Sequence, residues 1–179
     1  MAYFAALFAF DGQDWQGSDV DLDDVGDLVG LADAMRGSAY DEQPVLLFLE
    51  QEDTWFAVVR VDSEDDPRVF VSDASAAGRS AYGGMLVAEL TEENDDIDLD
   101  AFDAEDIYEN EDAVAVEEDE EAEAEEAISG PVGDPDLLSD WDMRSSELLT
   151  MCGEGVLPNE ALALIADRVG FAETLESIR

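Results

Sequence analysis

Residues 44–73, PVLLFLEQEDTWFAVVRVDSEDDPRVFVSD, read as three consecutive β-strands joined by two acidic turns. Residues 45–49 are continuously apolar. In residues 54–61, Trp55, Ala57, Val59 and Val61 share one alternating face, and Phe56 and Val58 make the other largely apolar too. Strands with this pattern are buried on two sides. Glu50, Gln51, Glu52 and Asp53 supply the first turn, and residues 62–67 supply the second, where Pro67 marks the start of the next strand. In residues 68–72, Val69 and Val71 point inward and Phe70 to the opposite side. Turns this short favour antiparallel pairing.

Upstream, residues 3–10 are apolar on both faces, Tyr3, Ala5 and Leu7 on one and Phe4, Ala6, Phe8 and Phe10 on the other. This is the pattern of another covered strand. Asp11-Gly12 is a hairpin dipeptide, and residues 15–20 form a short return strand. A helix follows with Asp23 or Asp24 as N-cap, Val25, Leu28, Val29, Ala32 and Met35 at helical spacing, and Gly37 as its stop. Gly30 inside it costs roughly 1 kcal/mol relative to Ala, so burial of the stripe must supply the stability. Downstream, Asp73 or Ser80 caps a second helix whose stripe is Tyr82, Met85, Leu86 and Leu90. These elements predict an α+β fold in residues 1–90, a small, mostly antiparallel sheet of four or five strands with helices on one face.

Charge divides the rest of the chain. Of 179 residues, 49 are acidic and seven basic, a formal net charge of −42, and all seven bases are arginines. Residues 1–90 carry a net −15, residues 91–133 carry 20 acids and no base, and residues 134–179 carry a net −7. The one-signed charge of residues 91–133, with runs such as 117–121, predicts a disordered acidic linker. Its apolar residues, among them Phe102, Ile107 and Tyr108, are spaced singly or in pairs, as in a solvated linker or in a segment that folds on a partner. Asp134-Pro135 restarts structure as N-cap and first-turn proline. Three short helices follow over 146–152, 158–169 and 171–178, with Leu148, Leu149, Cys152, Leu162, Ile165, Val169, Phe171, Leu175 and Ile178 inward. Helices this short must pack on the sheet domain or on one another as a small bundle.

A charge of −42 repels phosphates and anionic lipid, whose binding needs Lys and Arg to displace counterions. Direct binding to nucleic acid or membrane is therefore disfavoured, and a basic protein is attracted with strong salt dependence. A GC-rich or saline origin is the competing explanation of the same composition. The apolar opening lacks a positive n-region and is too short to span a bilayer, which suits a first strand of a cytoplasmic protein.

Absences limit the chemistry. With neither lysine nor histidine there is no Walker lysine, no Schiff base, no Ser-His-Asp or Cys-His arrangement and no His-ligated zinc. Asp19, Asp21 and Asp23 match the opening of a calcium loop, but Asp24 and Gly30 stand where glycine and a bidentate glutamate are needed. Asp96, Asp98 and Asp100 fail likewise at Ala101 and Ile107. Abundant carboxylates leave a paired-carboxylate or metal-dependent hydrolase as an alternative without singling out any pair. Cys152, the only cysteine, is expected to be a small buried residue, and Trp15, Trp55 and Trp141 to be packing residues. Arg60 and Arg68 are expected to pair locally with the turn containing Glu64, Asp65 and Asp66. No residue is assigned as catalytic, cofactor-binding or metal-ligating.

The stretch EDTWFAVVRVDSEDDPRVFVSDA at 52–74 resembles the actinobacterial family of tRNA adenosine deaminase-associated proteins. The likeness continues in YFAALFAFDG at 3–12, DLDDVGDLVGLADAMR at 21–36, PVLLFLE at 44–50, GDPDLL at 133–138 and ELLTMCGEGVLPNEALALIADRVGFAETLE at 147–176. It covers nearly the whole chain outside the acidic middle. The resemblance implies an association with the zinc deaminase that converts adenosine to inosine in tRNA. Such enzymes need H-x-E and P-C-x-x-C elements, which this chain lacks. The expectation is a non-catalytic accessory protein whose acidic surface binds or regulates that basic partner, with no catalytic residue carried over and its oligomeric state open.

Overall fold

The computed structural model describes residues 3–22, 25–41, 43–63, 66–92 and 129–179. Among them are strands β1 Tyr3–Phe10, β2 Trp15–Asp19, β3 Val45–Gln51, β4 Trp55–Val61, β5 Arg68–Val71 and β6 Val132–Gly133. The helices are α1 Leu28–Arg36, α2 Ala74–Ala77, α3 Ala81–Glu92, α4 Ser145–Gly153, α5 Pro158–Val169 and α6 Ala172–Ile178. The strands form one antiparallel sheet in the order β2-β1-β3-β4-β5-β6. The α+β class with an antiparallel sheet is as the sequence predicts.

The strand alternation sorts side chains cleanly. Leu7, Ala9, Val45, Leu47, Leu49, Ala57, Val59, Val69 and Val71 line one face, packed with Leu28, Leu31, Met35 and Leu86 of α1 and α3. Ala6, Phe8, Leu46, Phe48, Phe56, Val58 and Phe70 line the other, packed with Leu148, Leu162, Ile165, Phe171 and Leu175 of α4–α6. Helices thus cover both faces rather than one. The reason lies in the central strands: β3 and β4 are apolar on each side, and a single helical layer would leave Phe48 and Phe56 in water.

Local chemistry explains the element ends. Gln51 extends β3 beyond its apolar run because it sits opposite Trp55, whose Nε1 donates to Gln51 Oε1 at 2.8 Å inside the core. Helix α1 begins later than expected: Asp27 is its N-cap, in extended backbone, and accepts from the Gly30 N–H at 2.7 Å. Asp23 and Asp24 lie outside the described residues. With the start at Leu28, the buried stripe is Leu28, Leu31, Ala32 and Met35, and Val29 turns out to solvent, 65% exposed. The two cap candidates downstream each serve a helix, Asp73 accepting from Ala76 N–H at the head of α2 and Ser80 Oγ from Gly83 N–H at the head of α3.

A sixth strand precedes Asp134. Val132 and Gly133, assigned to the linker from composition, pair with Val71 and Phe70 as β6. Gly133 has φ +97°, and a Cβ there would stand 2.1 Å from the Val69 carbonyl oxygen, so only glycine admits this pairing. Asp134-Pro135 opens a turn rather than a helix, with Asp134 Oδ1 accepting from Asp136 N–H at 2.9 Å. In α4 the inward residues are Leu148 and Met151; Leu149 is exposed, because Leu148 and Met151 occupy the same face one turn apart and Leu149 falls off it. Helix α5 matches its expected bounds and buries Leu162, Ile165 and Val169. Helix α6 sits close over β2 because Gly17 has no side chain: a Cβ there would lie 2.2 Å from Ile178 Cδ1.

Candidate docking surface

Three charged side chains interrupt the apolar pattern on the face covered by the C-terminal helices: Glu50, Arg60 and Arg68. The sheet register sets Arg60 directly opposite Arg68, a like-charge pair that by itself is destabilising. Acids resolve it. Arg60, 7% exposed, donates from Nε and Nη2 to Asp62 at 2.6 and 2.9 Å, from Nη2 to Asp140 Oδ2 at 2.6 Å, and from Nη1 to the Leu137 carbonyl at 2.7 Å. Its guanidinium also stacks 4.6 Å from the centre of the Trp141 ring. Burial opposes its charge, yet the Asp62 and Asp140 carboxylates outweigh burial and hold its pKa above the ordinary arginine value.

Arg68 Nε donates to Asp134 Oδ2 at 2.6 Å. Burial works against the Asp134 carboxylate, but the Arg68 hydrogen bond and the Asp136 N–H prevail, and its pKa lies below the usual value. Arg179 at the end of α6 donates to Glu50 and lies over the Phe4 ring. Burial raises the Glu50 pKa despite that partner. The arginines expected to pair within their own turn therefore reach across the fold. Arg60 keeps one local acid, Asp62, while Asp140 and Asp134 come from the C-terminal segment; Glu64 and Asp65 lie outside the described residues.

The other candidates take packing roles. Trp15 lies against Trp141 and Phe171 at 5.7 and 5.1 Å between ring centres, and Trp55 is fully buried on the opposite face. Cys152 Sγ donates to the Leu148 carbonyl at 3.4 Å, and burial pushes its thiol up to about 11, so it stays protonated and unreactive at neutral pH. Asp19 ends β2 and Asp21 follows it beside a cleft of about 380 Å³ edged by Tyr3 and Tyr82. Asp23 and the run Asp96, Asp98 and Asp100 lie outside the described residues. Among the described residues no group of three or more Cys, Asp or Glu side chains is arranged to hold a metal ion.

Among the described residues the surface presents many acids, a few exposed arginines such as Arg79 and Arg144, and a few exposed apolar side chains. A polar cleft of about 690 Å³ at the head of α4 holds Arg168, itself paired with Glu147 at 2.6 Å. A larger groove of about 740 Å³ runs between α5 and α6 and is floored in part by Leu164, 53% exposed. The inward stripe of α5 leaves this leucine unaccounted for. A leucine off the stripe, between Glu160 and Asp167, was the sequence signal for it.

A protein-family model described as Rv3753c-like tRNA adenosine deaminase-associated protein matches residues 3–172, from β1 into the first turn of α6. The chain belongs to this family. The match takes in the sheet and the helical layers on both of its faces, and the family is described by association with the deaminase rather than as a deaminase. No curated protein and no solved structure matches the chain significantly. Among the described residues no helix is long and apolar enough to cross a membrane.

Proposed function

We propose that this protein is a non-catalytic accessory protein that binds and regulates a tRNA adenosine deaminase through its acidic surface. The observation that carries the reading is membership of a family described by that association. Composition supports it in two ways. The chain has no histidine and a single, inert cysteine, so it lacks the ligands with which such deaminases hold zinc and its water. Its negative charge extends through residues 1–90 and 134–179 as well as the acidic middle, whereas an enzyme that grips tRNA presents a basic face to phosphates. An acidic protein complementary to that face shields it from non-specific contacts or competes with tRNA for it.

The test is calorimetry with the two purified proteins, at about 50 mM and then about 500 mM salt, where screening lengths differ severalfold. Binding at low salt that weakens at least tenfold at high salt, and displacement of the complex by tRNA, are the expected results. No complex at low salt would refute the proposal.

A further inference from the structure

The groove between α5 and α6 combines two features: an exposed apolar side chain, Leu164, and exposed acids beside it. Leu164 and Ala163 stand on the outward side of α5, with Val156 at one end. Glu160 and Asp167, one turn before and about one turn after Leu164, edge the floor from α5, and Glu176 edges it from α6. All three acids are exposed. The base in the groove, Arg179, is already held by Glu50. From Glu160 to Asp167 the lining follows α5 for about two turns.

We propose that this groove is the docking site for a basic amphipathic helix of the partner protein, its apolar stripe seated on Leu164 and its flanking Lys or Arg side chains on Glu160, Asp167 and Glu176. For the identity of the partner the inference rests on the accessory-protein reading; for the site it rests on the groove alone. Charge selects this occupant over the alternatives. A second copy of a chain with net charge −42 brings like charge to an acidic rim, and the chain's own residues 91–133 bring 20 acids and no base. A helix laid in a groove through anchors at i, i+3 or i+4 and i+7 matches a groove lined over about two turns of α5.

The experiment measures binding of the full-length chain to the purified deaminase at low salt, for the natural sequence, Leu164→Gln and Val29→Gln. Val29 is a comparably exposed apolar residue on α1, over the opposite face of the sheet, and controls for general loss of surface hydrophobicity. Both sites are on the surface, so both variants should keep the far-ultraviolet spectrum of the parent. The expected result is about a tenfold loss of affinity for Leu164→Gln and no change for Val29→Gln. If the parent binds and Leu164→Gln binds equally well, the groove proposal is overturned while the accessory-protein reading stands. If the parent does not bind the deaminase, that reading falls, and the groove is decided with an 18-residue peptide of Leu and Lys in helical amphipathic order against a scrambled peptide of equal charge. A preference of at least fivefold for the amphipathic peptide, lost in Leu164→Gln, supports the groove; equal binding of the two peptides overturns it.

Discussion

The two faces of the sheet are covered by different means. On one, mainly aliphatic side chains of β1, β3, β4 and β5, with Trp55 the one fully buried ring among them, meet α1–α3, helices that lie within the same 90 residues as those strands. Arg36 of α1 pairs with Asp33 in its own helix and reaches the Ser63 carbonyl at 3.0 Å. On the other face, Phe8, Phe48, Phe56 and Phe70 meet helices from the end of the chain, with Phe171 stacked on Phe8 at 4.3 Å and lying 5.2 Å from Phe48. Each charged residue on that face, Glu50, Arg60 and Arg68, is paired with an acid or base of the C-terminal segment. Helices close in sequence need only a greasy stripe to find their place. The cover built from residues 134–179 is held by ring shape and charge registry together.

The largest effect expected from breaking this contrast is in the aromatic layer. Phe171→Ala should cost about 4 kcal/mol in urea titration, since Phe171 is the ring on which Phe8, Phe48 and Trp15 converge. Leu31→Ala in α1 removes a buried side chain from the aliphatic face and should cost about 3 kcal/mol. A larger cost for Leu31→Ala would reverse the assignment of the aromatic face as the more tightly specified one.

Next in size is the ionic part of the same join. Arg60→Ala strips Asp62, Asp140 and the Leu137 carbonyl of their shared donor and should cost about 2–3 kcal/mol by thermal or urea denaturation, discounted because Asp140 is largely exposed. Asp140→Asn should cost less than half as much. Equal costs would mean that the pair with Asp140 accounts for the whole effect and that Asp62 and the Leu137 carbonyl add nothing.

The smallest effects separate by pH. The folded-state pKa of Asp134 is lowered, so its contribution is present above about 3.8 and is lost as pH falls through the folded value; Asp134→Asn should flatten that acid limb. For Glu50 the folded value is raised, so the native state holds the extra proton and stability declines as pH rises from about 4.5 through the folded value. Glu50→Gln should remove that decline, and stability curves from pH 3 to 7 for the two variants check both signs.

Much of the fold was legible because its signals are local. The alternation in residues 45–61 named both faces of two central strands, Asp73 and Ser80 were readable as caps, and the bounds of α5 followed from Pro158 and Gly170. Where local signals compete, reading failed by a few residues. Asp27 displaced the earlier aspartates as the cap of α1, and this turned Val29 outward; Val132 and Gly133 carry no strand signal of their own and pair only because β5 offers an edge. The groove was legible only as a misplaced leucine.

The sequence alone determined the first five strands, the two faces of the central ones, the acidity and the family, because side-chain period and composition act over a few residues or over the sum of all of them. Only the tertiary structure decided that the second face of the sheet receives α4–α6, that Arg60 and Arg68 stand opposite each other and are neutralised by Asp140 and Asp134, and that Leu164 floors an acidic groove. The first two depend on strand register and on contacts between residues some 65 to 165 positions apart, and the third on how α5 and α6 pack; no local preference in a single chain encodes which of many acids will meet which of seven arginines.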